Sequence, residues 1–291
     1  VIDILGMRFG NQLKFKESQE FYNESLELKK QYFGESSIEY TKSLINLGIS
    51  YSQQSDYSKS RFFFEKVLSI NKNLNFENID NYTIALKGLI TGYSFEGRYD
   101  LSEKYLHELI KINKLFFGEK SLEHLNSLVL LAENYLNKGD LNNAEKFFQQ
   151  SNTEIENFNS REHLNILNRI VDFYLELNNN DKAYYYLTKS DALYQRIKSS
   201  YDKNDISHYM IARSWLGYYM SIGDYKKALD MAIKKIELTR QNPLFSSLKY
   251  SYSKDLSDLG LIYKYRGDYI NSEKNYLLAY EIRKDKIGQN P

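Results

Sequence analysis

The sequence predicts an all-α fold: a right-handed superhelical solenoid of antiparallel helical hairpins, with about seven units and the first one truncated. Three observations predict it. A short motif recurs along the whole chain, a small residue follows it at constant spacing, and only Pro243 and Pro291 interrupt 291 residues. Proline removes a backbone donor and clashes with the turn before it, so its scarcity leaves the chain open to helix throughout.

The motif reads large apolar, small, two variable residues, aromatic. It appears at Leu5-Gly6…Phe9, Leu47-Gly48…Tyr51, Leu89-Ile90…Tyr93, Leu131-Ala132…Tyr135, Ile170-Val171…Tyr174, Trp215-Leu216…Tyr219 and Leu259-Gly260…Tyr263. Twelve positions after each small site stands Ser18, Ser60, Ser102, Ala144, Ala183, Ala228 or Ser272. Between copies the period is 42, 42, 42, 39, 45 and 44 residues. A constant interior with elastic joints is what a helix pair plus a surface loop produces, because loop length costs little. The expected organisation is one array over 1–291, with repeats near 1–34, 35–76, 77–118, 119–159, 160–200, 201–244 and 245–291.

Within a repeat, apolar residues three or four apart put one stripe on the first helix, helix A, as in Leu125, Leu128, Leu131, Ala132 and Tyr135. Gly97-Arg98, Gly139-Asp140, Gly223-Asp224 and Gly267-Asp268 mark the turns. Glycine closes a helix in the left-handed conformation, and the following Asp can cap the next. Helix B then runs about 24 Å at the helical rise. Glycine inside a helix costs about 1 kcal/mol against alanine, so Gly48 and Gly260 imply close helix packing.

These residues resemble the tetratricopeptide repeat over essentially the whole chain, in the longer form found in kinesin light chains and many bacterial proteins. Stretches such as Ala279-Tyr280-Glu281-Ile282 through Gly288, Leu28 through Gly34, and Ile112 through Gly118 are similar to the end of helix B in that form. Some features depart from it. Repeat-ending prolines are missing apart from Pro243 and Pro291, and the fifth repeat, at Asn178-Asn179-Asn180-Asp181, lacks the turn glycine. A perturbed superhelix is therefore expected around 155–210. Both ends read as cut from a longer protein.

The resemblance implies a binding function. The bulk chemistry agrees, since 39 basic residues against 38 acidic ones give no excess of cations for phosphate contacts, which argues against nucleic acid. No cysteine is present, which removes thiolate nucleophiles, disulfides and Cys-based zinc sites. His107, His124, His163 and His208 fall at no metal-binding spacing, and no phosphate loop or nucleophile elbow occurs. The expectation is a non-enzyme without cofactor or metal. No run of 18 apolar residues and no secretory signal occur, so a cytoplasmic chain without membrane partners is expected.

Stacked hairpins expose helix A on a concave face. Positions five, two and one before the large site, and two and five after it, are expected to line that face. They include Lys42, Asn46, Lys87, Thr91, Asn126, Glu133, Asn165, Asn168, Arg169, Asp172, Arg213, Lys254 and Asp258. This polar set of mixed sign is suited to an extended peptide or a protein partner. The carboxylate clamp of chaperone-binding relatives is not matched, because Thr91 stands where that clamp needs Asn. Three functions stay open: a peptide- or protein-binding scaffold, the regulatory arm of a larger protein with an effector such as a CHAT caspase-like protease, and a peptide-pheromone sensor.

Overall fold

The structure, a computed structural model, describes residues 1–12, 14–73, 78–155, 159–200, 205–242 and 249–287. Among them lie fourteen α-helices and a 3-10 turn at Lys198–Ser200, with no strand. The helices form two compact units, Val1–Glu154 and Ile155–Pro291. The first contains α1 (Ile2–Asn11), α2 (Phe15–Phe33), α3 (Ile38–Gln53), α4 (Tyr57–Asn73), α5 (Ile79–Phe95), α6 (Tyr99–Phe117), α7 (Leu122–Lys138) and α8 (Leu141–Ile155), whose last residue is counted with the second. The second contains α9 (Arg161–Glu176), α10 (Asn180–Ile197), α11 (Ile206–Ser221), α12 (Tyr225–Gln241), α13 (Lys249–Tyr265) and α14 (Tyr269–Ile287). Odd helices are the A helices and even ones the B helices. Among the described residues no helix is long and apolar enough to cross a membrane. The expected repeat borders at 76/77 and 244/245, both prolines, residues 156–158 and 201–204 of the expected perturbation, and the terminal residues 288–291 lie outside the described residues.

The constant twelve-residue spacing has two physical causes. Where the small residue of helix B is serine and the helix-A small site is glycine, its hydroxyl donates to that glycine's carbonyl twelve positions earlier: Ser18 to Gly6 at 2.7 Å, Ser60 to Gly48 at 2.8 Å and Ser272 to Gly260 at 2.8 Å. The second cause is aromatic. Phe9 stacks on Phe21, Tyr51 on Phe63, Tyr93 on Tyr105, Tyr135 on Phe147 and Tyr174 on Tyr186, with centroids 5.3–5.7 Å apart. Each of these pairs is also twelve residues apart, and such stacking adds about 0.5–1.5 kcal/mol beyond burial. Shifting one helix against the other by a residue breaks both relations.

Turns and caps follow the same register. Eight residues after the large site, Gly97, Gly139, Gly223 and Gly267 take φ of 70–85°. The fifth repeat keeps that geometry without glycine, because Asn178 has φ 53° and asparagine tolerates this region. The next residue caps helix B: Asp56, Asp140, Asn179, Asp224 and Asp268 each accept a backbone N–H three residues on, at 3.1 Å. At helix A the caps are Ser37, Asn78, Ser121, Ser160 and Asp205. Ser55 holds the left-handed turn position of the second repeat at φ 62° with an ordinary side chain. Ser55→Gly should therefore raise stability, by up to about 1 kcal/mol in urea denaturation. A loss of stability would show that the turn is not strained.

Candidate functional site

Helix-A residues reach the surface in steps of three and four, so each A helix shows one narrow face. In the second unit that face is not flat. α11 and α13, with Asp172 from α9, line a cleft of about 390 Å³. Its apolar lining is half-buried Met220 and Leu261 over buried Leu216 and Ile262, and Gly217 adds no side chain. Its polar lining is Asp172, Tyr209, Arg213, Lys235, Lys254 and Asp258. An apolar cleft with a few placed polar groups is the usual form of a site that holds a side chain and orients its backbone.

The charges are not equivalent. Arg213 forms an ion pair with Asp172, one repeat away. Burial pushes the Asp172 carboxyl above its ordinary range, against the pull of Arg213 and then Arg169. Below the cleft, Lys235 Nζ lies 3.0 Å from Asp255 Oδ1 and 3.0 Å from Asp258 Oδ2. Asp255 also accepts from Tyr209 Oη at 2.9 Å and Thr239 Oγ1 at 3.0 Å. Lys235 and Asp255 are both buried. Burial, with the Asp255 charge second, raises the Tyr209 phenol and keeps it protonated as a donor. Lys254 is exposed and has no ion-pair partner among the described residues.

Of the sequence-predicted residues, the cleft brings together Asp172, Arg213, Lys254 and Asp258. Arg169 is exposed on α9, near enough to both Asp172 and Arg213 to act on their charges, and Asn165 is half-buried one turn earlier. Asn168 is a correction, because it is fully buried and does not line a surface. Its Oδ1 accepts from Ser190 Oγ at 2.7 Å and Ser214 Oγ at 3.2 Å, tying α9 to α10 and α11 from inside. Two positions before the large site lies about 100° round the helix from one before it, so both cannot always face out. The same position is buried as Ile45 in α3 and Val129 in α7.

In the first unit, Lys42 on α3, Lys87 and Thr91 on α5, and Asn126 on α7 are exposed, while Glu133 is half-buried. Asn46 lines a separate cleft of about 310 Å³ with Asp3, Ile4, Met7, Ile49 and Gln53. There Asp3 is held by Lys29 at 2.6 Å. His124 and His163 are buried just inside their helix caps. Among the described residues no group of three or more acidic or histidine side chains is placed to hold a metal.

Sequence reasoning missed the apolar lining. Gly217, Met220 and Leu261 sit two or five after the large site, where only polar residues had been singled out. It also missed Lys235 and Asp255. These stand at core positions filled elsewhere by Val67, Leu109 and Ala279, and by Ser43, Ala85 and Ile211. Charged residues at two facing core positions are the signal that could have found them.

Two family models, both described as tetratricopeptide repeat, match residues 10–73 and 125–156. Curated protein sequences give no significant match. Among solved structures, the chain is similar to the apo form of RapI, with TM-score 0.67 and 12% identity over 99% of this chain and 98% of that one. It is similar to a Rap protein complexed with Competence and Sporulation Factor, with TM-score 0.62 and 14% identity over 99% and 76%. A putative kinesin light chain from Podosopora anserina, with nearly identical repeats, matches at TM-score 0.53 and 15% identity over 69% and 94%. At such identities these structures establish the fold. Taken with the two tetratricopeptide-repeat matches and the seven-fold motif, they support a tetratricopeptide-repeat solenoid of the kinesin-light-chain-like type.

Proposed function

We propose that this chain is a non-catalytic scaffold that captures a peptide segment of a partner protein on its helix-A face, with the α11/α13 cleft as anchor. The observation that carries this reading is the cleft itself: apolar surface from Met220 and Leu261 over buried Leu216 and Ile262, beside an exposed Lys254 without an ion-pair partner among the described residues. Met220 and Leu261 accept an apolar side chain. Lys254 takes an acidic group or a backbone carbonyl, and the Arg213–Asp172 pair offers one donor and one acceptor to an extended backbone. The fold supplies rigidity, because both walls are helices held by the buried Lys235 network.

A second reading is a peptide sensor, favoured by the similarity to a Rap protein complexed with Competence and Sporulation Factor. In that case cleft occupancy alters the packing of α11 against α13. Both readings share one test. Random peptides displayed on phage are selected against the full chain, and the tightest is titrated by fluorescence anisotropy. Lys254→Glu and Arg213→Glu should each weaken binding about tenfold or more, corresponding to about 1.4 kcal/mol, with helical content unchanged. Added salt should weaken it further. Affinity unchanged from the parent in both variants would show that the cleft does not hold the peptide.

A further inference from the structure

Three departures from the repeat template meet between α10 and α12. The large site of α11 is Trp215, half-buried, where Leu47, Leu89, Leu131 and Ile170 are fully buried. Twelve residues after Tyr219 stands Met231, where five other repeats carry an aromatic ring. These two changes answer each other, because the Trp215 indole stacks on Tyr219 at 5.3 Å and supplies the contact that α12 lacks. The third departure is Asp191 of α10, eight residues after the small Ala183. Leu26, Leu68 and Ile236 hold the equivalent positions and are buried.

Where they meet is a cavity of about 230 Å³. It is lined by buried Ile211 and by the rings of Tyr194, Trp215 and Tyr219, and two charged residues reach it, Asp191 and Lys234. None of these residues lines the α11/α13 cleft. Asp191 is half-buried. Its carboxylate accepts from Gln195 Nε2 at 3.3 Å and has no ion-pair partner among the described residues. Lys234 is exposed, and an exposed lysine keeps its ammonium in water.

That arrangement selects by charge. An apolar occupant would cover the Asp191 carboxylate and leave it one neutral donor, which is unfavourable. An anion would meet the carboxylate directly. A cation gains from the carboxylate and from the aromatic rings together. A planar guanidinium suits both, since it stacks on a ring and donates in pairs to a carboxylate. The chain already uses this combination in its first unit, where the Arg61 guanidinium lies 4.9 Å from the centre of the Tyr93 ring and pairs with Glu96.

We propose that the cavity between α10 and α12 is a second binding site, which takes an arginine side chain of a partner protein against Trp215 and Asp191. Its volume admits one long side chain and not a folded segment. The site does not depend on the peptide reading of the α11/α13 cleft.

Trp215 is the only tryptophan in the chain, so its emission reports on this cavity directly. The full chain is titrated with N-acetyl-arginine amide at millimolar concentrations, and with N-acetyl-citrulline amide as the neutral counterpart of the same shape. A saturable change in emission is expected with the arginine compound and none with the citrulline one. Asp191→Leu restores the residue type of the other repeats, so the fold should be kept by circular dichroism while arginine binding weakens about tenfold or more. Lys234→Ala should leave binding as strong as in the parent or strengthen it. No saturable response overturns the proposal, as does an equal response to citrulline, a response that survives Asp191→Leu, or one that Lys234→Ala abolishes.

Discussion

Lys235→Met should destabilise the second unit by roughly 3–5 kcal/mol, the range for removing one partner of a buried ion pair. The loss comes from Asp255, which stays buried with its charge while its remaining partners, Tyr209 and Thr239, supply only neutral donors. Asp258 loses its contact as well, but it is half-buried and water can reach it. The double variant Lys235→Leu/Asp255→Ser should regain most of the loss. It copies a solution already present in the chain, where Leu109 of α6 and Ser127 of α7 occupy the equivalent buried positions. Urea denaturation followed by circular dichroism distinguishes the cases. A single variant as stable as the parent would mean that the network carries no uncompensated charge when broken. A double variant no better than the single one would mean that Tyr209 and Thr239 depend on Asp255 more than on the pair.

The second large effect belongs to the first unit. Phe64→Ala should cost about 3–5 kcal/mol, because the ring is buried between α3 and α5 and two helices cannot collapse onto the space. Gly88→Ala separates packing from helix propensity. Propensity alone predicts a gain of about 1 kcal/mol for replacing a mid-helix glycine. Packing predicts a loss of about 1–3 kcal/mol, because the added methyl meets the Phe64 ring. The loss is expected to win, and Gly88→Ala combined with Phe64→Leu should recover part of it. A stabilising Gly88→Ala would show that α5 can move away from α4 without cost.

The sequence made the repeat legible because its spacing is enforced by direct contacts. Ser60 must find the Gly48 carbonyl, and Tyr51 must find Phe63, so neither helix can slide. The turn of the fifth repeat was legible only in part. Asn178 hides a left-handed position that glycine advertises elsewhere. The cleft was less visible for two reasons. The position two before the large site sits at the edge of the exposed face, so Arg213 comes out there while Asn168, at the same position of α9, goes in. Helix-A polarity also says nothing of what helix B contributes, and Lys235 arrives from α12. Asp172, Arg213, Lys254 and Asp258, expected on the concave face, line the cleft, while Met220 and Leu261 stand at the same template positions and were passed over for being apolar.

Hydrogen exchange with the selected peptide bound tests the central claim most directly. New protection is expected in α11 (Ile206–Ser221) and α13 (Lys249–Tyr265), with the Lys254→Glu chain showing none at the same peptide concentration. Protection confined to α10 and α12, or to the first unit, or retained in full by the Lys254→Glu chain, would contradict it.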